Sequence, residues 1–566
     1  MTDRRHDGIK QNEDFTVTFL VNILILQGLS LGALGFWCWR IRDRRAIFIS
    51  PALRYFTAGM VMLALPLAYT TDVRVPGAAW RVAGAVLGIL WFFSCLQLRW
   101  RRCTLLTVLY GVLLLVGMQA IIAGQQWLMP DNAWVPLYGH RIYGTFFQPN
   151  VLASFIATGV TLILALLLLP GLASKHAGIE RARQYSLNAL LVVLSALLIC
   201  IQSRAGWLGG LAAVLLLFRF GRITAPNTVN AVAALTGGVA LGSAWLLSGE
   251  ALLPLTDHSG SNMARWTMLR DTLAMIAERP LLGWGYGGFE YDFQHFRVNQ
   301  SPPTPVTEIA RHPHNEILLW AVEGGVVGLV GVLLMVAGAG IIVRQAIKRD
   351  RLALRAGHRM AGVATALSIA LLPMAIHSLL EFPFYLSTLH FVIFLLLLAM
   401  ADSLGTTTST LPTLADRASQ RLNLAMTALT LGIAALAMVT IEGEVTLTQV
   451  ETFGMEDVTP LTTLSSPARH LLLERITFDE QVGALMTYNR TRDEQLLEGY
   501  SRWAQTYLQH RIDKHVYANL ITILRHQKHP ATAEHYRREA ALLFPTDRRF
   551  ASSVDTPAPQ HYQDWP

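Results

Sequence analysis

Apolar runs about as long as a bilayer is thick recur along this chain, each ended by a short polar stretch. Roughly 20 apolar residues cross the hydrocarbon layer as a helix. Twelve segments meet or approach that length: 16–38, 54–71, 79–98, 104–124, 150–170, 186–201, 205–219, 229–248, 316–343, 360–377, 386–401 and 423–441. Each is predicted helical, because an open strand in lipid leaves its backbone unsatisfied. The pattern changes twice. A polar loop occupies 249–315, and from 442 to 566 the apolar spacing is that of short amphipathic helices. The expected fold is therefore an all-α polytopic membrane protein of about 12 transmembrane helices. Its domains are a core, 1–441, with a large loop at 249–315, and a small helical tail, 442–566.

Composition agrees, with 52% hydrophobic and only 15% charged residues. The net charge of +8 would suit nucleic acid, but the basic residues sit in short loops between spans. These include Arg40, Arg42, Arg44 and Arg45, then Arg99, Arg101 and Arg102, then Lys175, Arg181 and Arg183, and the set from Arg344 to Arg359. Such loops read as cytoplasmic anchors, and no nucleic-acid partner is expected. Segments 125–149, 202–205, 249–315, 378–385 and the tail then lie on the opposite side. Parity also puts the N-terminus there, against the preference of Arg4, Arg5 and Lys10. The opening residues do not read as a cleavable signal peptide. The four cysteines lie in or beside spans and imply no disulfide framework. In the tail, 496–504, 517–520 and 531–544 suggest one or two tetratricopeptide-like helix pairs.

Titratable groups at a membrane surface nominate a site. Arg311-His312-Pro313-His314-Asn315-Glu316 closes the polar loop where a span begins. A neutral histidine near pH 7 accepts a proton from an attacking alcohol. The proline sets an extended backbone, so His312 and His314 do not share one helical face. Ser203-Arg204-Ala205-Gly206 interrupts two apolar runs, and its guanidinium requires an anionic partner, water, or lipid headgroups reached by snorkelling. Arg265 lies on an amphipathic segment before the turn Pro280-Leu281-Leu282-Gly283-Trp284-Gly285. Before another span stand Arg141, Tyr143, Gln148 and Asn150, where Gln148 and Asn150 suit sugar hydroxyls and Asn150 equally suits a helix cap. His377 and Glu381 occupy the next turn, as ligands of the site or as hydrogen-bonding partners at a broken helix. Closely spaced third ligands are absent, so no metal and no cofactor is expected.

Several of these motifs carry a resemblance. His314-Asn315, nine residues, Gly325, two residues and Gly328 resemble the signature of the O-antigen ligase superfamily, as do the Ser-Arg-x-Gly turn at 203, the loop from Arg265 through Gly285, and His377 to Pro383. The Arg141–Asn150 segment and the helical tail resemble most the bacterial protein O-oligosaccharyltransferases of the PglL type. The resemblance implies a GT-C-like bundle in the bacterial inner membrane with its active site facing the periplasm. It implies a metal-independent glycosyltransferase that moves a preassembled glycan from an undecaprenyl pyrophosphate donor to Ser or Thr of a periplasmic or pilin-like protein. His314, Arg204 and Arg265 would carry catalysis. Arg141, Tyr143, Gln148, Asn150, Arg311, His312, His377 and Glu381 would bind substrate. Alternatives are an O-antigen ligase acting on lipid A core, a polymerase, or a lipid-linked glycan transporter, though neither repeats nor charges spread through the bilayer depth favour the last.

Overall fold

The helices of the computed structural model follow the apolar runs. It describes residues 3–220, 227–248, 259–406 and 414–551, so the beginning of the polar loop and the end of the tail lie outside the described residues. In chain order the first helices are α1 (Asp3–Arg42), α2 (Pro51–Ala64), α3 (Val75–Leu96), α4 (Arg102–Leu128), α5 (Pro149–Leu168), α6 (Ala177–Cys200), α7 (Arg204–Phe220) and α8 (Thr228–Leu247). The loop contributes α9 (Ser259–Glu278) and α10 (Phe289–Asn299). Next come α11 (Glu316–Arg355), α12 (Val363–Ala370), α13 (Leu372–Ser378), α14 (Pro383–Leu386), α15 (Thr388–Gly405) and α16 (Asp416–Thr452). The tail holds α17 (Thr459–Thr462), α18 (Ser466–Leu471), α19 (Leu473–Thr491), α20 (Glu494–Tyr507), α21 (Lys514–His526) and α22 (Pro530–Leu543). The chain is an all-α polytopic membrane protein, and among the described residues it has no strand.

Ten helices among the described residues are long and apolar enough to cross a membrane. Two of the twelve expected segments are shorter. Residues 205–219 form the 17-residue α7, and 360–377 is split into α12 and α13, with Pro373 in the first turn of the second piece. A proline lacks the donor that would continue the first helix, so the break falls there. Helix α5 lies at the centre, with its whole apolar length buried by its neighbours, and its leucines and small residues seed the main core.

The basic loops gather at one end of the bundle. Arg40 donates to the carbonyls of Gln97 and Ala46, Arg102 to that of Gly171, and Arg349 to those of Leu404 and Thr406. At the opposite end, Asn22 near the start of the apolar part of α1 bonds to Leu386 and Thr388. The N-terminal side of α1 therefore emerges at the end away from the basic loops. Helix α16 runs unbroken past residue 441 to Thr452, and a cluster of Leu447, Val450, Leu461, Ala468 and Leu472 joins it to the tail. Helices α19 to α22 then pack each on the next around Tyr500, Tyr517 and Leu520.

Helix α11 is broken inside the apolar run, at Gly325, which has φ 59° and ψ −151°. A break in lipid is tolerated where other groups satisfy the freed backbone. Here the turn at 280–285 inserts into it: Trp284 N and Gly285 N donate to the carbonyls of Val322 and Glu323, and Val326 N donates to that of Pro280 at 2.8 Å. The Tyr69 hydroxyl donates to the Gly324 carbonyl. A Cβ at Gly283 would lie 2.5 Å from Gly325 N, and both residues have positive φ, so glycine is required twice over. Gly324 and Gly328 sit against Tyr286 of this inserted loop rather than at a contact between two helices.

Candidate active site

The loops at the end away from the basic residues converge on one buried carboxylate. Glu381, whose side chain is 4% exposed, follows the last turn of α13, where a short helix followed by Phe382-Pro383 forces the chain to turn. Its Oε1 accepts from Asn150 Nδ2 and from Arg265 Nη2, each at 2.5 Å. Its Oε2 lies 3.1 Å from His377 Nε2. The wholly buried His377 continues inward, its Nδ1 2.9 Å from Ser154 Oγ, which is also 3.1 Å from His390 Nε2. Hydrogen bonds and the neighbouring cations hold the Glu381 carboxyl below the usual range although burial opposes this.

Asn150 joins this cluster because it is not the cap of α5. Gln148 is the cap, its side chain accepting from Asn150 N. That frees the Asn150 amide to donate to Glu381 and to accept from Ser203 Oγ at 2.7 Å and from Arg141 Nη2 at 3.3 Å. Arg141 also donates to the Gln202 carbonyl at 3.0 Å, so it ties the loop before α5 to the α6–α7 turn. Burial lowers its pKa, with Arg265 and Arg204 adding to the effect and Glu381 opposing it. Arg204 donates to Asn262 Oδ1 on α9 at 2.5 Å. Arg265 thus pairs with Glu381, Arg141 interacts with the same carboxylate at longer range, and Arg204 lies close enough to Arg141 to help lower its pKa. The excess is positive, which suits an anion with more than one charge.

His314 faces the same group. Burial drives its pKa down to about 4, with Glu381 opposing and Arg265 and His312 reinforcing the shift. The imidazole is therefore neutral at pH 7, and its Nδ1 is buried without a partner among the described residues. The backbone is strained here, with φ 53° at His314. Two more non-glycine residues of positive φ, Phe147 and Gln202, flank the site, and such strain concentrates where function fixes geometry. His312 Nδ1 accepts from His314 N at 3.0 Å. The Phe382 ring lies against both imidazoles, its centroid 4.6 Å from His312 and 5.6 Å from His314. His312 is buried beside Glu316, whose carboxylate accepts from Trp320 and Tyr385. Asn315 caps α11 and donates to the Leu379 carbonyl, which fixes the His314 loop beside Glu381.

Of the residues nominated from sequence, His314, Arg204, Arg265, Arg141, Asn150, His377 and Glu381 gather in this region, and His312 lies beside His314 on the Phe382 ring. The others lie differently. Tyr143 is buried, its hydroxyl donating to Pro136 O and accepting from Tyr138 N. Gln148 is spent on the cap. Arg311 points away from His314 to Glu290, at 3.2 Å. Residues that the sequence did not single out are Ser154, His390, Asn262 and the buried pair of Arg81 and Glu323. That pair is separated by 242 positions, a distance at which a single sequence carries no pairing signal. No cluster that could hold a metal ion occurs among the described residues.

Residues 189–333 match the family model described as O-antigen ligase. Residues 365–558 match that described as virulence factor membrane-bound polymerase, C-terminal. The first covers α7, the 203–206 turn, the polar loop and the start of α11 with His314; the second begins in α12, takes in His377 and Glu381, and continues into the tail. Together they support a place in the O-antigen ligase superfamily and a glycosyl transfer of ligase or polymerase type. No curated protein matches the chain.

Proposed function

We propose that this chain transfers a preassembled glycan from an undecaprenyl pyrophosphate donor to a Ser or Thr hydroxyl of a periplasmic or pilin-like protein, at the periplasmic face of a bacterial inner membrane. The observation that carries the reading is three neighbouring guanidiniums, of which only Arg265 is bonded to the carboxylate of Glu381, beside a neutral imidazole. Arg204 and Arg265 would hold the pyrophosphate, with Arg141 behind them. In the displacement, the bond from the anomeric carbon to the phosphate oxygen breaks as the acceptor oxygen bonds to that carbon. The leaving pyrophosphate gathers negative charge against the guanidiniums, where preorganised donors lower the barrier most. The hydroxyl proton passes to a ring nitrogen of His314 as the new bond forms. A bound pyrophosphate beside His314 would raise its pKa from about 4 toward the range of an effective base. His377 and Ser154 fix the Glu381 carboxylate, which in turn orients Arg265.

A second reading has specific support: the matched family models are described as an O-antigen ligase and as a membrane-bound polymerase. An acceptor sugar of lipid A core or of a second lipid-linked glycan would use the same donor side. The deciding experiment offers purified protein a defined undecaprenyl-pyrophosphate glycan with either a pilin-like protein or a lipid-linked sugar acceptor. Glycoprotein as the main product supports protein transfer, and product on the lipid acceptor alone overturns it.

A further inference from the structure

Among the described residues the tail has none in the Glu381 cluster, yet it reaches the loop that carries His314 through α10. The two faces of α10 serve different neighbours. Phe289, Phe293 and Phe296 pack inward with Ala310, Leu319 and Val322. Tyr291 packs into the tail core, and His295 Nε2 lies 2.8 Å from Glu539 on α22, which also accepts from Tyr517. Glu539 and the Tyr291 carbonyl raise the His295 pKa against its burial.

Between these two contacts stands Glu290, with a side chain 5% exposed. It accepts from Ile512 N at 3.0 Å, and Arg511 Nη1 lies 3.4 Å away, both from the tail. On its other side it takes Arg311 Nε at 3.2 Å. A carboxylate this buried needs such partners to offset its lost hydration. Three consecutive residues of the His314 loop are thereby held: Ile309 packs on the tail core, Ala310 on the inner face of α10, and Arg311 on Glu290. His314 follows within three residues in a strained conformation, which persists only where the surroundings enforce it.

We infer that the tail is a positioning element for His314, acting through Glu290 and Ile309 on the 309–311 segment. The inference rests on the proposed role of His314 and is independent of which acceptor is used. It makes Glu290, Arg511 and Ile309 positioning residues: they touch no substrate and set where the imidazole stands.

The test uses the full chain in detergent or nanodiscs, with Glu290→Ala, Glu290→Asp, Arg511→Ala and Ile309→Ala. Hydrogen exchange is read over 306–315 and over the tail core, and kcat and the donor KM are measured for whichever acceptor the protein uses. An imidazole misplaced by about 1 Å loses up to about 10²-fold in rate. We expect Glu290→Ala to lower kcat between about 10- and 100-fold with donor KM held within about threefold, and Glu290→Asp to recover part of it. Exchange should rise at 306–315 and, in the Glu290 variants, at Ile512, whose amide loses its acceptor, and stay unchanged across the rest of 497–550. Arg511→Ala and Ile309→Ala repeat the test from the tail and loop sides should Glu290→Ala fail to accumulate. Wild-type kcat with a loosened 306–315 segment, exchange rising throughout the tail, or a loss confined to KM would each overturn the inference. The exchange readout needs no substrate, so it stands apart from any failure of the proposed reaction.

Discussion

Two arginine–glutamate assemblies lie near the same end of the bundle and differ in one respect, their charge balance. Arg81 pairs with Glu323 at the break in α11, its guanidinium lying 4.8 Å from the Tyr286 ring and 4.7 Å from that of Trp320. Glu323 also accepts from Phe289 N at 3.1 Å. One cation meets one anion, and aromatic faces and backbone donors supply the remaining contacts. At Glu381 three guanidiniums are neighbours but of these only Arg265 bonds the carboxylate, and Arg204 reaches only a neutral amide among its described partners. A neutralised buried pair pins elements together; a cluster left with excess charge has capacity for a ligand. On the proposed function, the first assembly is scaffold and the second binds the donor.

The largest expected separation comes from substitutions that remove function on one side and stability on the other. His314→Ala should lower transfer by about 10²–10⁴ at matched protein levels, with normal membrane insertion, and His312→Ala should be milder; glycan-transfer assays on purified protein check both. Arg81→Ala leaves Glu323 buried without its cation, a change that costs on the order of 3–5 kcal/mol. It should appear as a lowered melting temperature and faster proteolysis of the loop between α9 and α10. If Arg81→Ala left stability intact while abolishing donor binding, the contrast between the two assemblies would collapse.

A smaller effect sharpens the donor assignment. Arg204→Lys and Arg265→Lys keep the charge but lose the planar fork that matches phosphate oxygens. Each should raise the donor KM by about tenfold, roughly one charge-assisted hydrogen bond, with little change in melting temperature. Kinetics over a range of donor concentrations read this directly, and an unchanged KM in both variants would remove the pyrophosphate from these residues.

The smallest effect is in pH. The folded pKa of His314, about 4, lies below the 6.5 of an exposed imidazole, so the unfolded chain binds this proton more readily. The stability contribution is fully present above pH 6.5 and is lost as pH falls from there toward 4. Free-enzyme kcat/KM should accordingly keep its His314-dependent acid limb near 4. A limb at 6.5 that vanishes in His314→Ala would show an exposed imidazole instead.

Much of the fold was legible because bilayer-length apolar runs have few other solutions, and the helices track them even where Pro373 divides one. The break at Gly325 was not legible: the run from Ile317 to Val343 is apolar on both sides of it, and the groups that satisfy the opened backbone come from Tyr69 and the 280–285 turn. In the site, the motif residues named a neighbourhood, but their partners depended on tertiary geometry. Gln148 rather than Asn150 caps α5, which is what turns Asn150 toward Glu381. Arg311, three residues from His314, looked like a ligand and instead joins α10, because tertiary packing brings Glu290 beside it.

On the proposed function, Arg204 and Arg265 bind the donor's pyrophosphate. The most direct measurement is the affinity of the purified protein for undecaprenyl pyrophosphate, without acceptor, compared between the native chain, Arg204→Ala/Arg265→Ala and His314→Ala. The double variant is expected to bind at least about 10²-fold more weakly, as for two charge-assisted contacts, and His314→Ala to bind as the native chain does. Native affinity in the double variant, or an equal loss in His314→Ala, would contradict that assignment.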